Sequence, residues 1–294
     1  MLNRTFLISY SLGSSGPAAL DYLVIGGGGG GGSNVGLTDG KAGGGGAGGG
    51  GAVLRSFNAS SGDITTPINA EEAGVFTIVV GAGGASANGG ASSITATGVS
   101  VSANGGYRGN NSSSTTGGAG GSSGNSNSGS PYGNGGGLSR PLCGGASPPH
   151  FNNGNFTVVN GGNYGGAGGG AGGPASGSNR GAGVSSLITG FNIDYGQGGK
   201  SYIGASMASP FGGGGQGGAG DNEIAMNMYV NSNMCIQTSY GSVFYQSPTS
   251  GQRGAVYLRW TGGVPSDYTG GTLSTVGGDN LLSYTTAGTY TLTF

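Results

Sequence analysis

Residues 22–32 read Tyr-Leu-Val-Ile-Gly-Gly-Gly-Gly-Gly-Gly-Gly, a short apolar segment that runs directly into seven glycines. Glycine accounts for 77 of the 294 residues. Further glycine clusters lie at 43–51, 81–90, 117–121, 133–137, 161–173 and 212–220. A glycine run buries little apolar area and costs much backbone entropy, so it needs a special reason to be ordered. One ordered form is the polyglycine II helix, which is similar to polyproline II in having three residues per turn and no internal hydrogen bonds.

Such helices pack side by side because they have no Cβ atoms, and each N–H then donates to a carbonyl of a neighbouring helix. The competing interpretation is disorder, which a high glycine and proline content often signals. Disordered chains are typically charged and poor in aromatic residues. Here charged residues make up 6%, aromatic residues 8%, and the formal net charge is −1. The composition therefore favours a folded chain, and no Gly-X-Y period indicates collagen.

The charge balance also excludes classes of partner. Nine Lys and Arg residues without a basic cluster predict no nucleic-acid binding. No apolar run approaches the ~20 residues that a membrane-spanning helix needs, so we expect no membrane insertion. Residues 1–10 predict a strand, with a signal peptide as the alternative. Cys143 and Cys235 are either two free thiols from a reducing cytoplasm or one disulfide, and the sequence leaves this open.

Between the glycine clusters lie short segments in which apolar residues alternate with polar ones, as in half-buried strands. The segments are Phe6–Tyr10, Tyr22–Ile25, Val75–Val80, Ile94–Val101, Phe156–Val159, Ile224–Val230, Met234–Thr238, Val243–Tyr245, Ala255–Trp260, Leu281–Tyr284 and Thr289–Phe294. No segment has a helical period. The fold class we predict is all-β or irregular, with a small sandwich-like β-module joined to a packed polyglycine II helix sandwich and almost no α-helix.

We expect the chain to form one glycine-rich unit over 1–294. Strands of the β-module come from 1–25, 52–80 and 253–294, and the glycine-rich sandwich with its loops spans about 26–51 and 81–220. The segment 221–252 reads as a hairpin insertion, because Asn-Ser-Asn at 231–233 is a turn signal between two alternating segments.

Several stretches resemble the glycine-rich domain of phage tail proteins. They are Tyr22–Gly32, residues 43–51, Ala73–Gly84, Ser92–Ser93, Asn104–Gly106, Ser185–Gly190, Tyr195–Gly199 and Gly254–Trp260. In order, they are similar to the polyglycine-II-sandwich tip adhesins on the tail fibres of T-even-like phages. Residues 221–252 depart from that pattern, since they carry more Met and Tyr than glycine. The segment 271–294 follows the glycine-rich part, where in the family a similar segment often precedes it.

The resemblance implies a virion protein of a tail fibre or tail tip, and within that class a receptor-binding adhesin that uses loops between glycine-rich runs. The implied partners are a bacterial surface receptor, either an outer-membrane protein or a glycan, and other tail or fibre proteins. The oligomeric state stays open between a monomer on a fibre trimer and a homotrimer. The expected location is the virion, after synthesis in the host cytoplasm.

Two other functions stay open. One is a purely structural virion component, such as a fibre segment or a capsid decoration. The other is an ice-binding protein, because an antifreeze protein also packs glycine-rich helices; Thr-X-Thr occurs at 95–97, 289–291 and 291–293, without a sustained array.

Residues that could perform catalysis are sparse. His150 is the only histidine, so one chain offers no two-His metal site and no convincing Ser/His/Asp triad. Glu71 and Glu72 are adjacent, so on an extended chain they point to opposite faces. GxGxxG patterns are frequent, but no complete G-x-x-x-x-G-K-[ST] motif occurs, since Asp194 stands where the Gly199-Lys200-Ser201 triplet would need its first glycine. We therefore predict no enzyme activity, no cofactor and no metal.

The candidate binding residues are aromatic, basic and proline-containing positions in loops rich in Ser, Asn and Gly. Tyr and Arg favour interfaces because they combine a large contact area with polar groups. The candidates are Tyr107, Arg108, Tyr132, Arg140, Pro141, Leu142, His150, Phe151, Tyr202 and Phe211. The alternative for each aromatic residue is that it folds back over its own loop.

Overall fold

The computed structural model describes residues 16–33, 45–57, 66–71, 73–111, 158–159, 162–163, 167–175, 179–200, 209–217 and 248–294. Within these ranges the chain forms β-strands and no helix. The strands are β1 (Asp21–Ile25), β2 (Val53–Arg55), β3 (Val75–Val80), β4 (Ser92–Ala96), β5 (Val99–Ala103), β6 (Val158–Val159), β7 (Gly162–Asn163), β8 (Val184–Ser186), β9 (Ile193–Tyr195), β10 (Ala255–Trp260), β11 (Asp267–Tyr268), β12 (Thr272–Val276), β13 (Asp279–Tyr284) and β14 (Gly288–Thr293). The prediction of an all-β fold is confirmed.

Two antiparallel five-stranded sheets form the β-module. The first sheet has the order β12-β13-β10-β1-β2, and the second has the order β11-β14-β3-β4-β5. Tyr22 of β1 pairs with Leu258 of β10, and Phe76 of β3 pairs with Leu292 of β14. Strands from early and late parts of the chain are thus neighbours in both sheets. Two small hairpins, β6-β7 and β8-β9, pair separately.

The main hydrophobic core lies between the two sheets, because alternate residues of each strand point inward. Its largest members are Tyr22, Phe76, Ile78, Ile94, Leu258, Trp260, Leu282, Tyr284 and Leu292, each at most 2% exposed. Phe294 packs edge-on against Trp260, with ring centroids 5.3 Å apart. The alternation in the sequence therefore correctly predicted which face of these strands is buried between the sheets.

The first sheet is also buried on its other face, which the alternation did not indicate. Leu23, Ile25 and Tyr257 form a second core with Val184, Ile188 and Tyr195 of the β8-β9 hairpin. Two arginines fix the hairpin there: Arg55 donates from Nη1 to the Ser185 carbonyl, and Arg259 donates from Nη1 to the Ile188 carbonyl at 3.3 Å. Arg259 also forms an ion pair with Asp279 at 2.8 Å.

The predicted strands within β1, β3, β10, β13 and β14 are confirmed. The prediction of one strand over Ile94–Val101 is wrong, because the chain turns at Gly98, whose φ is +69°, and forms the β4-β5 hairpin. That hairpin belongs to the second sheet, although it falls within the range that we assigned to the glycine-rich sandwich. Of Phe156–Val159, only β6 is described. Phe6–Tyr10, Ile224–Val230, Met234–Thr238 and Val243–Tyr245 lie outside the described residues.

Candidate functional site at the far end of the glycine bundle

The glycine run 26–32 follows β1 directly and occupies the centre of a bundle. Its N–H groups donate in turn to three surrounding segments, so that every third residue contacts the same neighbour. The donor–acceptor pairs, at 2.7–3.0 Å, are Gly26–Ala52, Gly29–Gly49 and Gly32–Gly46, then Gly27–Gly90 and Gly30–Ala87, then Gly28–Gln252 and Gly31–Thr249. A period of three is that of the polyglycine II helix. Because acceptor numbers fall as donor numbers rise, these three neighbours run antiparallel to the central run.

The carbonyls of the central run accept from three further segments. The Gly106 and Gly109 N–H groups donate to the Gly27 and Gly30 carbonyls. Gly84 and Gly215 belong to the other two segments and donate to Gly28 and Gly29. Six segments therefore surround one run, and none of its seven glycines has a positive φ, as the left-handed polyglycine II helix requires. The prediction that the glycine runs 26–32 and 43–51 form packed extended helices is confirmed for the described residues.

The packed glycines in the interior of the bundle have no room for side chains. A Cβ atom built on Gly28 would lie 2.0 Å from the Gly213 carbonyl oxygen, and one on Gly31 would lie 1.7 Å from that of Gln216. On Gly48 it would lie 2.0 Å from the Gly29 oxygen. These distances are far inside van der Waals contact and the obstructing atoms are backbone. Side-chain chemistry is therefore confined to the outer surface and the ends of the bundle.

A buried serine joins the β-module to the bundle. Ser92 at the start of β4 is fully buried, and its Oγ accepts from the Gly81 N–H at 2.9 Å and donates to the Ile25 carbonyl at 2.6 Å. Gly81 follows β3 of the second sheet, and Ile25 ends β1 of the first. The hydroxyl thus bridges the two sheets where both strands pass into glycine runs. The sequence signal was only a Ser-Ser pair after a glycine run, and it did not identify this role.

We call the end of the bundle opposite the sheets the far end; it comprises Ser33, Gly45–Gly46, Asn110–Asn111, Gln216–Gly217 and Pro248–Thr249. Hydrogen bonds connect these segments: Ser33 N–H donates to Asn111 Oδ1 at 3.0 Å, Gly46 N–H to the Asn110 carbonyl at 2.9 Å and Gln216 N–H to Thr249 Oγ1 at 2.7 Å. The described segments therefore end here at Ser33, Asn111 and Gly217 and begin again here at Gly45 and Pro248.

Two predicted binding residues lie on the described surface beside the far end. Tyr107 is 51% exposed, and its carbonyl accepts from the Gly49 N–H at 2.8 Å. Arg108 is exposed; its N–H donates to Asn88 Oδ1 at 2.9 Å, and its Nη1 donates to the Ser86 carbonyl at 3.3 Å. Asn88 was not predicted, and neither was Asn111. In the sequence, each is an asparagine beside glycines, and such asparagines are too common in this chain to single these two out.

Phe211 occupies a different position, beside the second core. Its ring lies edge-on to Tyr257 at 6.1 Å, and the Arg253 guanidinium carbon lies 5.7 Å from its centroid. It covers the outer face of the first sheet near the base of the bundle. The remaining candidates, Tyr132, Arg140, Pro141, Leu142, His150, Phe151 and Tyr202, lie outside the described residues. The first six belong to the segment that follows Asn111.

The described residues contain no group of three or more His, Cys, Asp or Glu side chains that could hold a metal ion. They likewise contain no helix with the length and apolar character of a membrane span. Burial raises the pKa of three tyrosines, Tyr195, Tyr257 and Tyr284, which lie in the two cores. A cavity of about 470 Å³ lies beside β5, lined by Tyr22, Pro67, Ile68, Asn69, Ala73 and Val101 among others. It lies beside the edge strand of the second sheet, away from the far end.

A sandwich whose strands continue into a hydrogen-bonded bundle of glycine helices defines the class as an all-β, glycine-rich domain. The chain belongs to the glycine-rich domain family, whose model matches residues 8–261. No curated protein and no solved structure matches the chain.

Proposed function

We propose that the protein is a tail-fibre or tail-tip protein of a bacteriophage and acts there as a receptor-binding adhesin. The observation that carries the proposal is the meeting of several chain segments at the far end of a bundle whose central glycine run has no room for side chains. A rigid scaffold with variable connections at one end is a common arrangement for binding sites. The resemblance of the ordered glycine-rich stretches to phage tail adhesins supplies the virion context.

The polarity of the molecule supports this assignment. Gly16 and Phe294 are close to each other, since a Cβ on Gly16 would lie 3.0 Å from the Phe294 Cβ. Both lie at the pole of the β-module opposite the far end, where β1 begins. An adhesin needs one pole for attachment to the particle and another for the receptor. The β-module and the far end lie at opposite poles of the described chain and could serve these two roles.

The test uses the segment that follows Asn111, which the sequence predicts to be a loop. Arg140, His150 and Phe151 are replaced together by alanine, and binding of the labelled chain to whole cells of a panel of Gram-negative bacteria is measured. A matched triple variant replaces Thr95, Ser100 and Thr289, which are exposed on the second sheet, by alanine. We expect the loop variant to lose at least tenfold in cell binding, while the control variant binds as wild type. Both variants should keep the wild-type melting temperature.

Absence of binding to every strain in the panel would contradict the adhesin function and favour a purely structural virion component. Equal binding by a stable loop variant would remove these three residues from the site.

A second candidate function, ice binding, gains support from one observation. Residues Thr291, Thr77, Thr95 and Ser100 lie in register across four strands of the second sheet. Thr269 extends the row, with its Oγ1 3.1 Å from that of Thr291. A row of hydroxyls on an open sheet face could order water. Thermal hysteresis of the wild-type protein that is lost on Thr77→Lys and Thr95→Lys would support it, and absence of hysteresis would exclude it.

A further inference from the structure

The side of the bundle next to the far end carries hydrogen-bond donors whose direction is fixed by the backbone. The Asn88 side chain accepts the Arg108 N–H through Oδ1, and the Asn111 side chain accepts the Ser33 N–H through Oδ1. Since an N–H can bond only to the oxygen of an amide, both Nδ2 groups point away from these contacts. Neither Nδ2 has a hydrogen-bond partner among the described residues. Each amide therefore offers two free N–H donors.

Arg108 lies between the two amides. In a helix with three residues per turn and ~3.1 Å rise, Arg108 and Asn111 lie on the same face, about 9 Å apart along the axis. One guanidinium N–H is used by the Ser86 carbonyl, which holds the side chain against the neighbouring turn. A guanidinium has five N–H donors, so four remain. We call Asn88, Arg108 and Asn111 the donor patch.

No acidic side chain of the described glycine-bundle segments is present to accept hydrogen bonds from these donors. The acidic residues of the described chain, Asp21, Glu71, Asp194, Asp267 and Asp279, all lie in or beside strands of the β-module or the β8-β9 hairpin. None belongs to the described glycine-bundle segments. A cluster of donors with one fixed positive charge, and with no carboxylate beside it among the described residues, selects ligands that are rich in acceptors and negatively charged. Guanidinium groups bind carboxylates and phosphates especially well, because their geometry allows two parallel hydrogen bonds.

Tyr107 adds an apolar surface on the adjoining face of the same helix. Its ring is half exposed, because the glycine-rich scaffold offers few other side chains to cover it. An aromatic ring with a polar hydroxyl suits ligands that have one apolar face and many hydroxyls. A sugar ring has this character, since its axial C–H groups form an apolar face and its hydroxyls lie around the edge.

We propose that Tyr107 and the donor patch form a binding subsite for an acidic saccharide, that is, a sugar carrying a carboxylate or a phosphate. The inference rests on the proposed adhesin function, and it selects a glycan over an outer-membrane protein for contact at this surface. Tyr107 stacks on the C–H face of the sugar. Arg108 binds the anionic group, and the Asn88 and Asn111 amides donate to ring or hydroxyl oxygens.

The experiment measures binding of the full chain to polyacrylamide polymers that display glucuronic acid, glucose 6-phosphate or glucose. We expect at least tenfold tighter binding to one or both acidic polymers than to the glucose polymer, weakening as salt is raised. Equal binding to all three polymers, or binding to none, would overturn the proposal. The two acidic polymers distinguish a carboxylate from a phosphate ligand.

The variant Asn88→Asp with Asn111→Asp keeps the oxygens that accept the Arg108 and Ser33 N–H groups, but it replaces both donor groups by acceptors. It should retain the wild-type melting temperature and lose at least tenfold in affinity for the acidic polymers. The control Ser100→Asp with Thr289→Asp adds the same charge on exposed positions of the second sheet and should bind within about twofold of wild type. Tyr107→Phe should keep most of the affinity, whereas Tyr107→Ala should lose it.

Cell attachment separates the two proposals. If the donor-patch variant binds polymers as wild type does, the subsite is wrong, whatever happens on cells. If wild type binds no cells at all, the adhesin function fails independently of the polymer result.

Discussion

At the scale of single residues, the junction between the sheets and the glycine bundle depends on one buried hydroxyl. Ser92 is fully buried, and its Oγ accepts from the Gly81 N–H and donates to the Ile25 carbonyl. Removing the hydroxyl takes away the side-chain partner of the buried Gly81 N–H and one hydrogen bond to the Ile25 carbonyl, which costs about 1–3 kcal/mol.

We therefore predict that Ser92→Ala lowers the free energy of unfolding by about 1–3 kcal/mol, measured by urea denaturation. The adjacent variant Ser93→Ala is the control, because Ser93 points to the open face of the second sheet and is only half-buried. It should change stability by less than about 0.5 kcal/mol. Equal effects of the two substitutions would show that the Ser92 bridge contributes nothing specific.

At the scale of elements, the glycine helices are stable because they pack, since an isolated run has no internal hydrogen bonds. Adding a single methyl group to the central run should therefore also disturb the neighbouring helix. Gly28→Ala brings a Cβ to 2.0 Å from the Gly213 oxygen, so the two helices must separate and strain the hydrogen bond from the Gly215 N–H to the Gly29 carbonyl. We expect the free energy of unfolding to fall by about 1–3 kcal/mol or more, measured as a lower melting temperature.

Gly263→Ala is the matched control, because a Cβ there meets nothing within 4 Å and the residue has no positive φ. It should melt within about 1–2 °C of wild type, since surface substitutions away from special features change stability little. An undisturbed Gly28→Ala variant would mean that the central run is not enclosed.

The elements also show what the sequence could predict. Alternation identified β1, β3, β10, β13 and β14, because each has one strongly apolar face. It missed β12, because Thr272, Ser274 and Thr275 are polar and the two apolar residues, Leu273 and Val276, pack on opposite faces of the sheet. It also missed that β10 is buried on both faces, because the β8-β9 hairpin that covers Tyr257 is distant in sequence. Asn88 and Asn111 could not be singled out, since their role depends on which backbone N–H lies opposite.

At the scale of the whole molecule, burial of tyrosines couples stability to alkaline pH. Burial raises the pKa of Tyr195, Tyr257 and Tyr284 above the usual value of about 10. The folded state therefore keeps these protons when the unfolded state has lost them. Stability is fully present below pH ~10 and falls as pH rises further, because the unfolded chain binds fewer protons.

We predict that the free energy of unfolding falls above pH ~10 by up to about 1.4 kcal/mol per pH unit for each of the three tyrosines. Tyr284→Phe should lessen the slope by one such contribution. It should cost little stability at pH 7, because the Tyr284 hydroxyl is buried without a hydrogen-bond partner among the described residues. A slope that is identical in wild type and Tyr284→Phe would contradict this coupling.

The central claim is that the glycine runs form an ordered, hydrogen-bonded bundle that carries the far end. Amide hydrogen exchange of Gly26–Gly32, followed by NMR, tests it most directly, since each of these N–H groups donates to a named carbonyl. We predict protection comparable to that of β10, and slower exchange at Gly28 and Gly29 than at Gly263, which has no backbone acceptor in the described chain. Exchange of residues 26–32 at the rate of an unstructured peptide would contradict the account.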